Sequence, residues 1–148
     1  MIREMRLCDV PVCVELVRSN WTEKAAANAA LEMRHAFDKS MEWPPIYYVY
    51  EVDGNVVAFA GMIESWIRNG VWDFIWINIR KDYQRKGIGK ALTQYRIEKV
   101  KEMGGCAIHL MTKKYRFFAS QGFQVMATYG TREPWLLMVK QLGEFTEL

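Results

Sequence analysis

Two turn signals decide much of what this chain can fold into. Asp53-Gly54-Asn55 and Asn69-Gly70 each separate β-rich apolar runs, and such residues tolerate the left-handed backbone of a tight hairpin. They divide Ile46 to Val52, Val56 to Ser65 and Val71 to Ile79 into three predicted strands, expected as an antiparallel meander. Upstream the period is helical after a short first strand within Met1 to Arg6. Asp9 can cap a helix and Pro11 is tolerated in its first turn, with Val12, Cys13, Leu16 and Val17 carried to about Asn20. Thr22 can cap a second, alanine-rich helix running to about Lys39, with Pro44-Pro45 closing it off.

Downstream of the meander a third helix starts near Ile88. Ile88, Ala91, Leu92, Tyr95, Val100 and Met103 share a broad face, which Arg96 and Lys99 interrupt. Gly104-Gly105 ends it. Cys106 to Met111 reads as a strand, Lys113 to Gln121 as a short helix stopped by Gly122, and Phe123 to Tyr129 with Trp135 to Val139 as a final hairpin. The predicted order is β-α-α-β-β-β-α-β-α-β-β, an α+β fold with a mixed, mostly antiparallel sheet flanked by helices. The chain has 148 residues, no repeat and no linker, so residues 1–148 are expected to form a single domain.

Several function classes recede on composition. A net charge of +3 is too mild to argue for nucleic acid. Three cysteines (Cys8, Cys13, Cys106) and two distant histidines (His35, His109) do not have metal-site spacing, so no metal is expected. The N-terminus does not read as a signal peptide, and no run approaches the roughly 18 apolar residues of a membrane span. A cytoplasmic protein, monomer or homodimer, is the expectation.

The stretch most informative about function is Gln84-Arg85-Lys86-Gly87-Ile88-Gly89-Lys90. It joins a predicted strand to a predicted helix, where the first backbone N–H groups lack intrahelical partners and the dipole presents partial positive charge. Arg80, Lys81, Arg85, Lys86 and Lys90 cluster there. Such a place binds phosphate, although a solvated charged face also accounts for the cluster. It is not a P-loop, because Ala91 follows Lys90, and a dinucleotide fingerprint would need glycine where Leu92 stands.

With Gln84-Arg85-Lys86-Gly87-Ile88-Gly89 following a meander, and Phe118-Ala119-Ser120-Gln121-Gly122-Phe123 further on, the chain resembles the GNAT superfamily of N-acetyltransferases over essentially its whole length. The resemblance implies acetyl-CoA as the donor. It implies that the backbone from Arg85 to Lys90, with Gln84 leading in, holds the pyrophosphate, and that pantetheine pairs with the main chain of Ile77 and Ile79. Gly89→Val is expected to abolish acetyl-CoA binding and leave the fold intact.

The acceptor amine must be neutral to attack the thioester. An amine of pKa ~10.4 is neutral about once in 2,500 molecules at pH 7, a deficit of ~4.6 kcal/mol. A base or a desolvating site can supply this. Asp73 is the only acidic residue in Val71 to Ile79, and it shares parity with Ile75, Ile77 and Ile79 unless a bulge intervenes. Some family members carry a glutamate at the corresponding place. Asp73 is thus either a buried base or a solvated strand-end carboxylate. Glu64, near the end of the neighbouring strand, is the next candidate.

Many family members place a tyrosine acid where this chain has Phe118. Tyr115, one turn back, either substitutes for it or packs in the core. The family's frequent asparagine after the fifth strand is missing too, with Met111 and Thr112 nearby. The acceptor pocket is expected between the first two helices and the strand ends, with Trp21, Trp43, Tyr47, Tyr48, Trp66, Trp72, Trp135, Glu42 and Glu64 as candidate liners. The leading reading is acetyl transfer to a primary amine of a small molecule or protein by direct attack. The alternatives are a CoA-binding module without turnover and a transferase of another acyl-CoA.

Overall fold

The computed structural model describes residues 1–143. In chain order the elements are β1 (Ile2–Glu4), α1 (Val10–Asn20), α2 (Glu23–His35), β2 (Ile46–Val52), β3 (Asn55–Glu64), β4 (Val71–Ile79), α3 (Ile88–Glu102), β5 (Ala107–Thr112), α4 (Tyr115–Ala119), β6 (Gln124–Tyr129) and β7 (Trp135–Gln141). Short 3-10 turns at Leu7–Asp9 and Lys81–Tyr83 precede α1 and α3. The strands are hydrogen-bonded in the order β1-β2-β3-β4-β5-β7-β6. This is the α+β architecture that the sequence predicts, with β4 and β5 the parallel pair. Among the described residues no helix is long and apolar enough to cross a membrane.

The chain divides into two compact units. The first comprises Met1–Ile63 with Ile75–Arg96, the second Glu64–Phe74 with the chain from Ile97 onward.

In the first unit, Asp53 and Gly54 (φ 50° and 78°) make the β2–β3 turn. Both φ values are positive, as the twist-matched hairpin turn requires. The pairing runs through Tyr47↔Gly61 and Tyr48↔Ala60. Cys13, Leu16 and Val17 of α1 pack with Ala26, Ala29 and Met33 of α2, against Tyr47, Val49 and Phe59 of the strands. The helical residues recur at three- and four-residue spacing, so each helix buries one stripe, and burying a Leu or Val side chain is worth about 1.5–3 kcal/mol. The Thr22 hydroxyl caps α2 by accepting the Ala25 N–H at 3.1 Å.

Two details differ from expectation. The Asp9 carboxylate stands at the α1 N-cap but makes no cap bond to that helix. It accepts from Arg3 at 2.7 and 3.0 Å and from the Arg6 N–H at 2.7 Å. Arg3 also grips Glu51 at 2.7 Å, so one guanidinium ties β1 and the start of α1 to β2. And α2 stops at His35 rather than near Lys39. The Ala36, Phe37 and Asp38 N–H groups reach back three residues instead of four, and the Asp38 carboxylate accepts the Ser40 N–H and hydroxyl. That local bonding competes with the helix well before the prolines.

In the second unit, the chain from Glu64 to Phe74 pairs with β5 through Val71↔Ala107 to Asp73↔His109, and β5 pairs antiparallel with β7. Phe74 and Phe118 both pack on Phe123, with ring centroids 6.3 and 5.6 Å apart. α4 ends as Gly122 predicts. Gly122 (φ 90°) donates to Ala119 O and Phe123 to Phe118 O, the paired bonds of a left-handed helix stop.

On α3, Ile88, Leu92 and Val100 are buried as expected, but Met103 is 46% exposed, and Arg96 is buried on the same stripe. The Arg96 guanidinium donates to Gly61 O on β3 at 2.8 Å. Burial pushes it down to about 9, which leaves it charged at neutral pH. A buried cation is tolerable only when hydrogen-bonded, and the β3 carbonyl supplies this.

Candidate active site

The first unit holds the glycine loop. After β4 the chain turns through Lys81–Tyr83, where Tyr83 N–H bonds Arg80 O at 2.8 Å. Arg85 and Gly87 then adopt left-handed backbone, φ 62° and 82°. A Cβ on Gly87 would meet nothing within 4 Å, so its conformation, not protein packing, calls for glycine. The N–H groups of Arg85, Lys86, Gly87, Ile88, Gly89 and Lys90 have no carbonyl partner among the described residues, and the next, Ala91, bonds Gly87 O at 3.0 Å. Gln84 through Gly87 and Lys90 are exposed, whereas Ile88 and Gly89 are buried. The Gly89 carbonyl accepts the buried Thr93 hydroxyl at 2.8 Å.

The cations here divide. Arg80 is paired with Asp82 at 2.7 Å and stacked on Tyr83, and Lys86 lies 5.1 Å from the same ring. Lys81, Arg85 and Lys90 carry no ion pair among the described residues. This end of α3 therefore offers consecutive N–H donors, a helix dipole and uncommitted positive charge, the requirements of a diphosphate site.

Gln84 plays a more structural part. Its side-chain amide donates to Ile79 O at 3.0 Å, and the same carbonyl accepts Asn20 Nδ2 at 3.0 Å. Asn78, 3% exposed, accepts the Trp21 indole N–H at 3.0 Å and Asn20 Nδ2 at 3.4 Å. The end of α1 is thereby bonded to the end of β4. Asn20 and Asn78 are absent from the sequence-based candidates, and the only signal is Asn78, a polar residue within the apolar run of β4. Arg80 N–H bonds Val57 O on β3. Since main-chain groups alternate sides along a strand, those of Ile77 and Ile79 face away from β3.

The parity expected of β4 does not continue through it. Trp76 has φ 43°, a left-handed value in mid-strand. For a bulky residue this is a true outlier, and it breaks the two-residue alternation. So Asp73 and Ile77 do not share a face by simple counting. The Trp76 indole N–H is held by the Glu32 carboxylate of α2.

The second unit holds the expected acid–base residues. Asp73 is half-buried and sits opposite His109 across the parallel ladder. Desolvation pushes its carboxyl above the usual carboxylate range, while the His109 charge and a hydrogen bond with Ser65 hold it back. His109 and Ser65 are further polar neighbours that the sequence reading leaves out. Glu64 is half-buried, with no ion pair among the described residues. Tyr115 opens α4 and is 53% exposed, so it is not a core residue, whereas Phe118 is 5% exposed and packed between Phe117 and Phe123. Of the aromatic candidates, Trp66 and Trp135 in this unit are exposed, and Trp72 packs near Gly105. In the first unit Trp21 and Trp43 are exposed, and Tyr47 and Tyr48 are buried.

A family model described as the acetyltransferase (GNAT) family matches residues 13–123. A GNAT-family structure from Desulfovibrio desulfuricans superposes with a TM-score of 0.86 at 18% identity, covering 95% of this chain and 98% of that one. An aminoglycoside 6′-N-acetyltransferase complexed with coenzyme A gives 0.83 at 17% identity, covering 99% of each chain. The ribosomal-protein-S18-alanine N-acetyltransferase of Escherichia coli gives 0.74 at 19%, covering 99% of this chain and 96% of that one. At such identities the likeness is one of fold. No curated protein sequence matches significantly.

Proposed function

We propose a reaction for this chain, which belongs to the acetyltransferase (GNAT) family and is an acetyl-CoA-dependent N-acetyltransferase: it transfers the acetyl group to a primary amine of a small molecule or protein by direct attack. The observation that carries the reading is the run of N–H groups from Arg85 to Lys90, at the start of α3, that have no carbonyl partner among the described residues. These groups would hold the pyrophosphate. The main chain of Ile77 and Ile79 would receive the pantetheine. One of its partners there is already engaged, because Ile79 O accepts from Asn20 and Gln84, which leaves the Ile79 N–H and both Ile77 groups.

Asp73 is the proposed base. Desolvation makes its carboxylate more basic, and it would take the ammonium proton directly or through water. Glu64 is the second candidate. Tyr115 is exposed and can reach solvent-borne protons, and a departing CoA thiolate can also be protonated by water.

Calorimetric titration of acetyl-CoA, with Gly89→Val as control, tests the donor site. No binding by folded wild type would end this reading. Asp73→Asn should lower kcat at least ~100-fold if Asp73 is the base and remove the acidic limb of the pH–rate profile. An unchanged profile would clear Asp73 of the role.

A second reading has its own observation. Phe118 stands in the family's tyrosine position and is sealed among phenylalanines, so no hydroxyl acts there. A chain that binds acetyl-CoA and acetylates no amine in a broad panel would be a CoA-binding module.

A further inference from the structure

We propose that Asn78 is a cosubstrate-binding residue: its side-chain amide N–H, oriented by Trp21 and Asn20, donates to a carbonyl oxygen of acetyl-CoA, on the pantetheine arm or on the thioester. The proposal rests on the placement of pantetheine along β4 given above, and it adds a side chain to a site otherwise built from main chain.

Asn78 stands between Ile77 and Ile79 in β4 and is 3% exposed. The Trp21 indole N–H donates to its Oδ1 at 3.0 Å, and Asn20 Nδ2 donates to the same oxygen at 3.4 Å. An indole nitrogen only donates, so the atom it meets is the amide's carbonyl oxygen. Trp21 is itself fixed, because its backbone N–H bonds Val17 O at 2.8 Å at the end of α1. Asn20 is fixed by a second bond, to Ile79 O at 3.0 Å. The orientation of the Asn78 amide is therefore set by groups outside β4.

That orientation leaves Nδ2 over. It donates to no group among the described residues. A buried side chain with an unused donor is uncommon. The nitrogen is also not sealed in, since among the described residues the sealed side-chain polar atom without a partner is the Tyr47 hydroxyl. Nδ2 thus opens outward from a residue that is otherwise buried. A polar side chain in an apolar strand gives up its bonds to water, and the fold replaces them on the oxygen alone.

The chemistry of the free group selects its partner. An amide N–H needs an acceptor, and an ammonium or guanidinium has none to offer. The pyrophosphate is assigned to the N–H groups from Arg85 to Lys90. The pantetheine arm carries amide carbonyls, and its proposed path runs along the residues on either side of Asn78. Ile79 O is already spent on Asn20 and Gln84, so a donor on the preceding side chain adds a bond where the main chain has lost one. On the thioester carbonyl the same donor would stabilise the oxyanion formed by attack. A donor held in place beforehand does so without reorganising.

The test follows the Asn78 side-chain amide resonances of the wild type by heteronuclear NMR during titration with ADP, CoA and acetyl-CoA. ADP has a diphosphate and no arm, and should leave them in place. A downfield shift of one amide proton with CoA and acetyl-CoA alike assigns a pantetheine carbonyl. A shift with acetyl-CoA alone assigns the thioester. Resonances that neither CoA nor acetyl-CoA moves, or that ADP moves as far, would overturn the proposal. Asn78→Asp keeps an oxygen for Trp21 and Asn20 and has no amide hydrogen to give. It should weaken calorimetric binding about tenfold, the worth of one hydrogen bond, for both ligands in the first case and for acetyl-CoA alone in the second. Trp21→Phe, at a position 62% exposed, releases one of the two holds on the amide and should weaken binding about threefold. Urea unfolding reports that each variant is folded, and unchanged affinity in folded Asn78→Asp would also overturn the proposal. If that variant does not fold, the wild-type resonances decide. Wild type that binds neither CoA nor acetyl-CoA would strike the acetyl-transfer reading and this proposal with it, whereas binding without movement at Asn78 strikes this proposal alone.

Discussion

α3 has a glycine pair at each end, and the two pairs behave differently. At the start, Gly87 is left-handed in open space, and the N–H groups around it meet no carbonyl among the described residues. At the end, Gly104 donates to Lys101 O at 3.0 Å and Gly105 to Val100 O at 2.8 Å. A Cβ on Gly105 would come within 2.3 Å of Val100 Cγ1 and 3.1 Å of Trp72 Cδ1. The same residue type thus serves two purposes. Where the surroundings are full and every donor is matched, glycine is explained by packing. Where they are empty and the donors are unmatched among the described residues, packing does not account for it, which is the pattern expected of the proposed pyrophosphate site.

Exchanging the two effects by mutation is the strongest way to break this contrast. Gly89→Val should weaken acetyl-CoA binding by at least about a hundredfold, or ~2.7 kcal/mol. Gly89 is buried, so the same variant is also expected to lose some stability, a refinement of the sequence-based expectation. Calorimetry beside urea unfolding separates the two, and undiminished affinity would remove the loop from the donor site. Gly105→Val should do the reverse. It should lose about 2 kcal/mol of stability by overpacking against Val100 while its folded fraction binds acetyl-CoA as before. A urea midpoint equal to that of wild type would contradict this.

Smaller effects sharpen the same contrast. Arg85→Ala should weaken acetyl-CoA binding about threefold, the worth of one exposed charge near a helix start, and the loss should shrink in high salt. A salt-independent loss would point to a broken loop instead. The smallest effect is one on stability, at Asp73, in the unit that holds the end of α3. Its folded carboxyl is raised, so the folded state holds its proton more readily than the unfolded chain does. Stability should therefore fall as pH rises from the ordinary carboxylate value through the raised one. Asp73→Asn should flatten that slope and slightly raise Tm at neutral pH. A lower Tm would show that the ionised form is stabilised.

The elements were legible where a residue acts through its own backbone. Asp53-Gly54 and Asn69-Gly70 mark their turns because they accept positive φ, and all four do so here. Thr22 and Gly122 act as cap and stop by the same local logic. The loop between β4 and α3, proposed as the donor site, was legible because glycines and cations at a strand-to-helix passage need no distant partner to be recognised. What stayed hidden depends on contacts far apart in the chain. Nothing at Trp76 announces a left-handed residue, since tryptophan resists that conformation and only its surroundings impose it. Asn78 meets Trp21 across fifty-seven residues. Arg96 looked like a break in an apolar stripe because its acceptor, Gly61 O, lies on a strand thirty-five residues earlier. Asp38 ends α2 with a local bond that competes with helix, a signal present in the sequence but outweighed there by the alanines.

The ring of Tyr47 laid over Gly61 has a consequence for the way this sequence can drift. Any side chain at position 61 collides with the ring at 2.5 Å, so an isolated change there is deleterious while Tyr47 stands. Shrinking Tyr47 first would open the room, but it would also take from the core a ring that packs beside Phe59. The two positions are bound into one epistatic unit, in which the order of substitutions matters as much as their identity. Descendants of this chain should keep tyrosine and glycine together or replace both.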